Sequence, residues 1–281
     1  MNAEGQMTWE EAVRWYRAQP GNEDAVRANY FDLPVLGAAK RYAAGEEFEE
    51  VLRLFGVGNR RAVLDLGAGN GIASFALAQC GWRVTALEPD PSDEVGAGAI
   101  RALQKELELP MEVVAFANDG LPFPDANFDA AFARQVLHHV PDLDDTLGEL
   151  FRILKPGGLL LATREHVVRD GRELRAFREN HPLHRLYGGE NAHPLETYLD
   201  AAKGAGFAVL DVWGPLQSIL NFAPRTEPER RAEMQRIARE RWCGLGRLAA
   251  WSPGFVAASV RAATSRNASP GRIYSFLFRK P

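Results

Sequence analysis

Three glycines alternate behind an acidic residue in Ala62-Val63-Leu64-Asp65-Leu66-Gly67-Ala68-Gly69-Asn70-Gly71, and all six histidines of the chain fall between positions 138 and 193. Without side chains at Gly67, Gly69 and Gly71 the backbone can bend sharply. A ligand can then lie against the main chain, close to the amides of the helix that follows. The histidines offer a different chemistry, because an unperturbed imidazole titrates near neutrality. A segment that also carries Tyr, Glu and Asn can hold a polar molecule and take a proton from it.

The spacing narrows the ligand of the glycine turn. A dinucleotide loop needs G-x-G-x-x-G, and its last glycine would fall at position 72, where Ile72 stands. Asp65 sets a carboxylate at the strand end beside the turn, which repels a pyrophosphate and suits a cation. Arg83-Val84-Thr85-Ala86-Leu87-Glu88 is a second short strand ending in an acid, placed to accept hydrogen bonds from ribose hydroxyls. Nicotinamide enzymes share that second feature. Further on come Leu121-Pro122-Phe123-Pro124, the strand ending in Arg134-Gln135, and Leu154-Lys155-Pro156-Gly157-Gly158 before another apolar run. Over residues 60 to 165 this order of segments resembles the small-molecule type of class I S-adenosylmethionine-dependent methyltransferases, whose cofactor carries an ammonium and a sulfonium and no phosphate.

The resemblance implies S-adenosylmethionine as methyl donor, S-adenosylhomocysteine as product, and a cofactor site built from Asp65, Gly67, Ala68, Gly69, Glu88, Pro89, Arg134 and Gln135. One segment departs from it. Many relatives carry Asp-Ala-Glu before the Leu-Pro-Phe run, the Asp pairing with the adenine amino group, and Ala117 occupies that Asp position. Asn118, Asp119 and Gly120 are therefore expected to serve the adenine edge through side chains and amides.

The implied reaction is in-line displacement of the sulfonium methyl by an oxygen, nitrogen or acidic carbon of a small-molecule acceptor. Alignment contributes roughly 7 to 11 kcal/mol in favourable cases, and a general base adds about a hundredfold or more, so a base is helpful and not obligatory. Candidates for it are His138, Glu165, His166, His184, Tyr187 and His193, while His139 reads as a packed or capping residue. No His-x-x-x-His or Cys-His spacing is present, so no metal is expected. Two other readings stand beside this one: a protein that binds the cofactor without methylating, and a nicotinamide-dependent oxidoreductase. The Asp- or Asn-Pro-Pro-aromatic run of adenine-modifying relatives has no counterpart at Arg134-Gln135-Val136-Leu137.

These residues need a frame. Strands at 62–66, 83–88, 111–116, 128–133 and 158–163 alternate with helices starting near 71, 95 and 143, which predicts a parallel sheet covered on both faces, with the ligand at the carboxyl ends of the strands. Phe207–Trp213 and Ile273–Phe278 read as the final strands, an antiparallel hairpin in the simplest relatives. The expected fold is thus a seven-stranded, mostly parallel, doubly wound α/β sheet with an antiparallel last strand. Residues 59–213 and 272–281 would form this core. Helices at Trp9–Arg17 and Leu36–Phe55 would make residues 1–58 a lid. Residues 214–271, with a helix near Pro228 to Trp242, an apolar segment through Val260, and Trp251, would form a helical cap shaping the acceptor pocket.

Composition sets limits. The chain has 281 residues, 46% of them hydrophobic, enough for one large α/β domain with additions. A net charge of −4 offers no overall attraction for nucleic acid. Arginines between Arg225 and Arg241 alternate with glutamates, as on a solvated helix face. Cys80 and Cys243 imply no disulfide framework. The polar start and the absence of a long apolar run suggest a cytoplasmic protein, monomer or homodimer, with no membrane partner.

Overall fold

The computed structural model describes residues 6–56, 61–115, 120–241, 252–266 and 269–281. Its centre is a seven-stranded sheet in the order β3-β2-β1-β4-β5-β7-β6. The strands are β1 (Ala62–Leu66), β2 (Arg83–Leu87), β3 (Met111–Val114), β4 (Phe128–Arg134), β5 (Leu154–Val167), β6 (Ala208–Trp213) and β7 (Arg272–Arg279). β1 to β5 pair in parallel, and β7 runs antiparallel to both β5 and β6. This is the doubly wound sheet that the alternation and the resemblance imply.

β1 is buried along its whole length, as a central strand covered on both faces must be, and Asp65 is its single charged residue. It has β2 on one side and β4 on the other, so the chain winds in opposite directions from it. The crevice at its carboxyl end is where such sheets bind ligands. One face is covered by α3 (Val35–Ala43), α4 (Glu46–Phe55), α5 (Ile72–Gln79) and α6 (Ala97–Leu107), around Val63, Phe75, Trp82 and Phe132. On the other, α7 (Leu143–Ile153) and α10 (Leu195–Gly204) pack over Leu64, Ala131, Leu160 and Phe276.

Three expectations need correction. The single helix expected over Leu36–Phe55 is two, because Gly45 is extended at φ −91° and ψ 152° and caps a new helix, α4. A further short helix, α2 (Glu23–Ala28), follows α1 (Trp9–Ala18). β5 extends well beyond 158–163, so Arg164, Glu165 and His166 lie within the strand. A bulge interrupts it there: the register to β7 slips by one residue between Ala162 and Glu165, and Arg164 adopts φ +62°. The extra residue re-aims the side chains that follow. The Arg164 guanidinium, buried with them, donates to the Ala223 carbonyl at 2.8 Å and secures the segment after β6.

Among the described residues of 214–271, a 3-10 turn (Ile219–Asn221), α11 (Glu227–Arg241) and α12 (Pro253–Arg266) form a small helical unit around Ala238, Val256 and Val260. The α11 arginines pair at helical spacing with Glu227, Glu233 and Glu240. Trp242, Cys243 and Trp251 lie outside the described residues. Among the described residues no helix is long and apolar enough to cross a membrane.

Candidate active site

The glycine turn closes tightly against its neighbours. Gly67 has φ +60°, and a Cβ on it would come within 2.7 Å of Val136 Cγ2. Gly71, at φ +84°, caps α5, and its Cβ would meet Ile100 Cγ1 at 3.0 Å. Only glycine satisfies both the dihedral and the space. Asp65 ends β1 behind this turn, accepting from Ser74 Oγ at 2.6 Å, and burial pushes its carboxyl up to about 7. Just past β2, Glu88 accepts from the Gly69 amide at 2.6 Å and the Asp90 amide at 2.9 Å, and burial likewise pushes it up to about 7. Asp65, Gly67, Ala68, Gly69, Glu88 and Pro89 all line one cavity of about 520 Å³.

The opposite wall of that cavity carries the histidines. Glu165 is wholly buried on β5 and accepts from three consecutive amides, Val136 and Leu137 on Oε1 at 3.1 Å each and His138 on Oε2 at 3.0 Å. His138 Nδ1 lies 2.6 Å from the same Oε2. With both oxygens so occupied, Glu165 is an anchor for the loop after β4 and not the base the sequence offered. A ring nitrogen facing a carboxylate or carbonyl must be the protonated one. His138 therefore donates from Nδ1, His139 from Nδ1 to the Gly189 carbonyl at 3.0 Å, and His166 from Nδ1 to the Gly271 carbonyl at 3.0 Å. Burial depresses His138 well below its usual range and pushes His166 down to about 4, so both rings are neutral at pH 7.

Residues 64–162 match the family model of the methyltransferase domain. The chain is 38% identical over 101 residues to a ubiquinone/menaquinone biosynthesis C-methyltransferase of Brucella anthropi, covering 35% of this chain and 38% of that protein. It is 30% identical over 192 residues to 24-methylenesterol C-methyltransferase 2 of Oryza sativa, covering 64% of this chain and 50% of that one. A solved geranyl diphosphate methyltransferase in complex with S-adenosylmethionine has the same fold, with a TM-score of 0.57 at 16% identity over 100% of this chain and 98% of that one. The chain carries a class I S-adenosylmethionine-dependent methyltransferase domain. It spans between about two-fifths and one half of the length of these two curated relatives.

In this methyltransferase domain Arg134 lines the cavity but is already engaged. Its Nε lies 2.7 Å from Glu47 Oε1 and its Nη2 3.2 Å from Oε2, with both side chains buried, and Nη1 donates to Gln135 Oε1 at 3.1 Å. Glu47 thus neutralises the one guanidinium on the cavity wall, so that Arg134 does not oppose a cationic ligand near Asp65. Trp9, Tyr16, Asn29 and Phe31 of the N-terminal segment also line the cavity. Asn70 Nδ2 ties that segment to the glycine turn by donating to the Tyr30 carbonyl at 2.7 Å.

Several expected positions fall elsewhere. Asn118 and Asp119 lie outside the described residues, and Gly120 sits beside Glu149 Oε2. His184, on the short helix α9 (His184–Tyr187), and His193 do not line the cavity. The His193 backbone bridges to Val167 and accepts from the Val168 amide at 3.1 Å, which turns the ring onto Tyr198. None of the described residues of 214–271 lines it either, so the pocket is shaped by the N-terminal segment and residues 181–190.

His139, expected to pack or cap, faces the cavity, and His181 and Glu190 join it there without having been singled out as site residues. Tyr187 donates its hydroxyl to Glu190 Oε1 at 2.8 Å. The missing local metal spacing has a counterpart in space: His138, His139 and Glu190, and separately His166, His181 and Glu190, bring their donor atoms within 4.8 Å of one another. Because β4, β5 and the 181–190 loop converge only in the fold, no sequence interval encodes that cluster.

Proposed function

We propose that this protein transfers the methyl group of S-adenosylmethionine to an oxygen, nitrogen or acidic carbon of a small molecule. The observation that carries this reading is the one cavity that joins the glycine turn to a wall of imidazoles. The turn end fits the donor. Two buried carboxylates, Asp65 and Glu88, stand there with no salt bridge to either among the described residues, an arrangement that favours a cationic ligand with hydroxyls. When bound, S-adenosylmethionine supplies a methyl group on a positively charged, and hence readily displaced, sulfur.

The chain's own residues align and shield. Asp65 would meet the ammonium and Glu88 the ribose, and the N-terminal segment, tied to the glycine turn through the Asn70 bond to Tyr30, would exclude water as a lid. Gathering donor and acceptor in one cavity supplies most of the rate. His166, the better placed of the surviving candidates, faces the acceptor end with Nε2 free to accept a hydrogen bond from the acceptor, although the burial that pushes it down to about 4 makes it a weak base. A net charge of −4 supports a small-molecule acceptor over nucleic acid.

Calorimetry with S-adenosylhomocysteine tests the first half. Saturable binding, weakened tenfold or more by Glu88→Gln, is the expected result, whereas binding of a nicotinamide cofactor in its place overturns the reading. Transfer of tritiated methyl to a panel of hydroxyl, amine and enol acceptors tests the second half. Tight cofactor binding with no transfer to any class would instead favour a protein that uses the cofactor only as a ligand.

A further inference from the structure

Glu190 lies among lone pairs. It is buried beneath the 181–190 loop, with its Oε2 3.9 Å from His138 Nε2 and 3.7 Å from His139 Nε2, while Oε1 is 3.9 Å from His181 Nδ1. Since His138 and His139 donate from Nδ1, a neutral ring at either position presents a bare Nε2. His181 Nδ1 accepts from the His184 amide at 3.4 Å, so its lone pair is already engaged. His166 donates from Nδ1 to Gly271 and has only Nε2 left. Among these groups the one donor that reaches Glu190 is the Tyr187 hydroxyl. Buried acceptors turned toward one another repel unless something positive stands between them.

The spacing says what kind of cation. Separations of 3.7 to 3.9 Å are too long for hydrogen bonds. They fall just inside the roughly 4.2 Å that two metal–ligand bonds of about 2.1 Å can span. The outer nitrogens are held as metal-bound histidines are usually held, by a carboxylate on His138 and by backbone carbonyls on His139 and His166. Imidazole with carboxylate suits zinc, iron, manganese, cobalt or nickel, and not the all-oxygen preference of magnesium or calcium. His139 and His181 are partly exposed, which gives an ion a way in.

We propose that His138, His139 and Glu190 bind a divalent first-row transition-metal ion in the wall of the cavity, through the two Nε2 atoms and Oε2. The neighbouring set of His166, His181 and Glu190 is a separate one, and its His181 Nδ1 is taken by the His184 amide. An acceptor with an oxygen or nitrogen donor would complete the ion's coordination shell and be oriented there. That last role rests on the methyl-transfer reading. Metal binding itself does not.

The test uses the full-length protein, stripped with chelator and titrated with Co2+ by visible absorption and with Zn2+ by calorimetry. The expected result is saturable binding at one equivalent, weakened tenfold or more in Glu190→Gln and in His139→Asn. His193→Gln, whose ring lies off the cavity, should bind as the unmodified protein does. Circular dichroism establishes that each variant is folded. If Glu190→Gln does not fold, the partly exposed position 139 carries the test alone. No saturable binding of Co2+, Zn2+, Mn2+ or Fe2+ overturns the proposal, and so does unchanged affinity in the folded position-139 variant. Metal binding without methyl transfer would overturn the proposed function and leave the metal site standing, and the reverse result would do the opposite.

Discussion

Glu165 Oε2 stands 2.6 Å from His138 Nδ1, and the same carboxylate gathers the amides of Val136, Leu137 and His138. One side chain on β5 thereby sets both the course of the loop after β4 and the tautomer of the histidine that loop presents. Glu165→Gln places an amide group where only acceptors are tolerated. With charge-assisted bonds worth about 1.5 to 3 kcal/mol each, the expected loss of stability is about 3 kcal/mol or more. Urea denaturation measures it, and a loss below about 1 kcal/mol would show that the carboxylate does not organise the loop.

The glycines of the turn should differ in their response to alanine. At Gly67 the new methyl meets Val136 at 2.7 Å, whereas at Gly69 the nearest atom within reach is the Val95 carbonyl oxygen at 3.9 Å. Both have positive φ, which costs an alanine about 1 to 2 kcal/mol. Overpacking adds about 1 to 3 kcal/mol at Gly67 only. Thermal melts of the two ligand-free variants should therefore rank Gly67→Ala clearly below Gly69→Ala, and equal melts would contradict the close approach of Val136.

The pair Arg134–Glu47 offers a test of buried charge. Glu47→Leu leaves a guanidinium unpaired on the cavity wall and should cost about 3 to 5 kcal/mol. Replacing both, as Glu47→Leu with Arg134→Met, should recover most of that loss. A double-mutant cycle by chemical denaturation reads the coupling directly, and additive losses would mean the two charges are not interdependent.

Asp65 and Glu88 predict an unusual pH dependence. Their carboxyls are raised from ordinary values of 3.8 and 4.5 to about 7, so between these limits the folded protein holds protons that the unfolded chain has released. Their contribution to stability is complete below about pH 4 and is lost as pH rises through about 7. Asp65→Asn should flatten this decline in the ligand-free protein. The ligand's ammonium is held best by ionised carboxylates, so affinity for S-adenosylhomocysteine, which keeps that ammonium, should rise between pH 6 and 7.5, with proton release. Calorimetry in buffers of different ionisation heat checks this, and an affinity independent of pH would remove both carboxylates from the cation's environment.

Much of this was legible along the chain because it is local. Gly67 and Gly71 announce positive φ by lacking a Cβ, and Asp65 and Glu88 stand out as acids ending apolar strands. Lys155-Pro156-Gly157-Gly158 was read as the approach to β5, although the strand already begins at Leu154. The bulge at Arg164 was not readable, since a non-glycine residue at φ +62° is held by Ser275 and Ala223, far away in sequence. The break at Gly45 was missed for a milder reason: a glycine weakens a helix and does not always end it.

The sequence by itself determined the sheet, the turn and the family, because strand alternation, backbone freedom and the order of motifs are properties of neighbouring residues. Tertiary structure alone decided which histidines matter. His138 after β4, His166 on β5 and the 181–190 loop with His181 and Glu190 come together at one cavity wall, while His184 and His193, in the same stretch of chain as His181, do not line it. The physical reason is that side-chain direction in that region is set by the β5 bulge and by the hydrogen bonds of Glu165, and neither has a signature shorter than the fold.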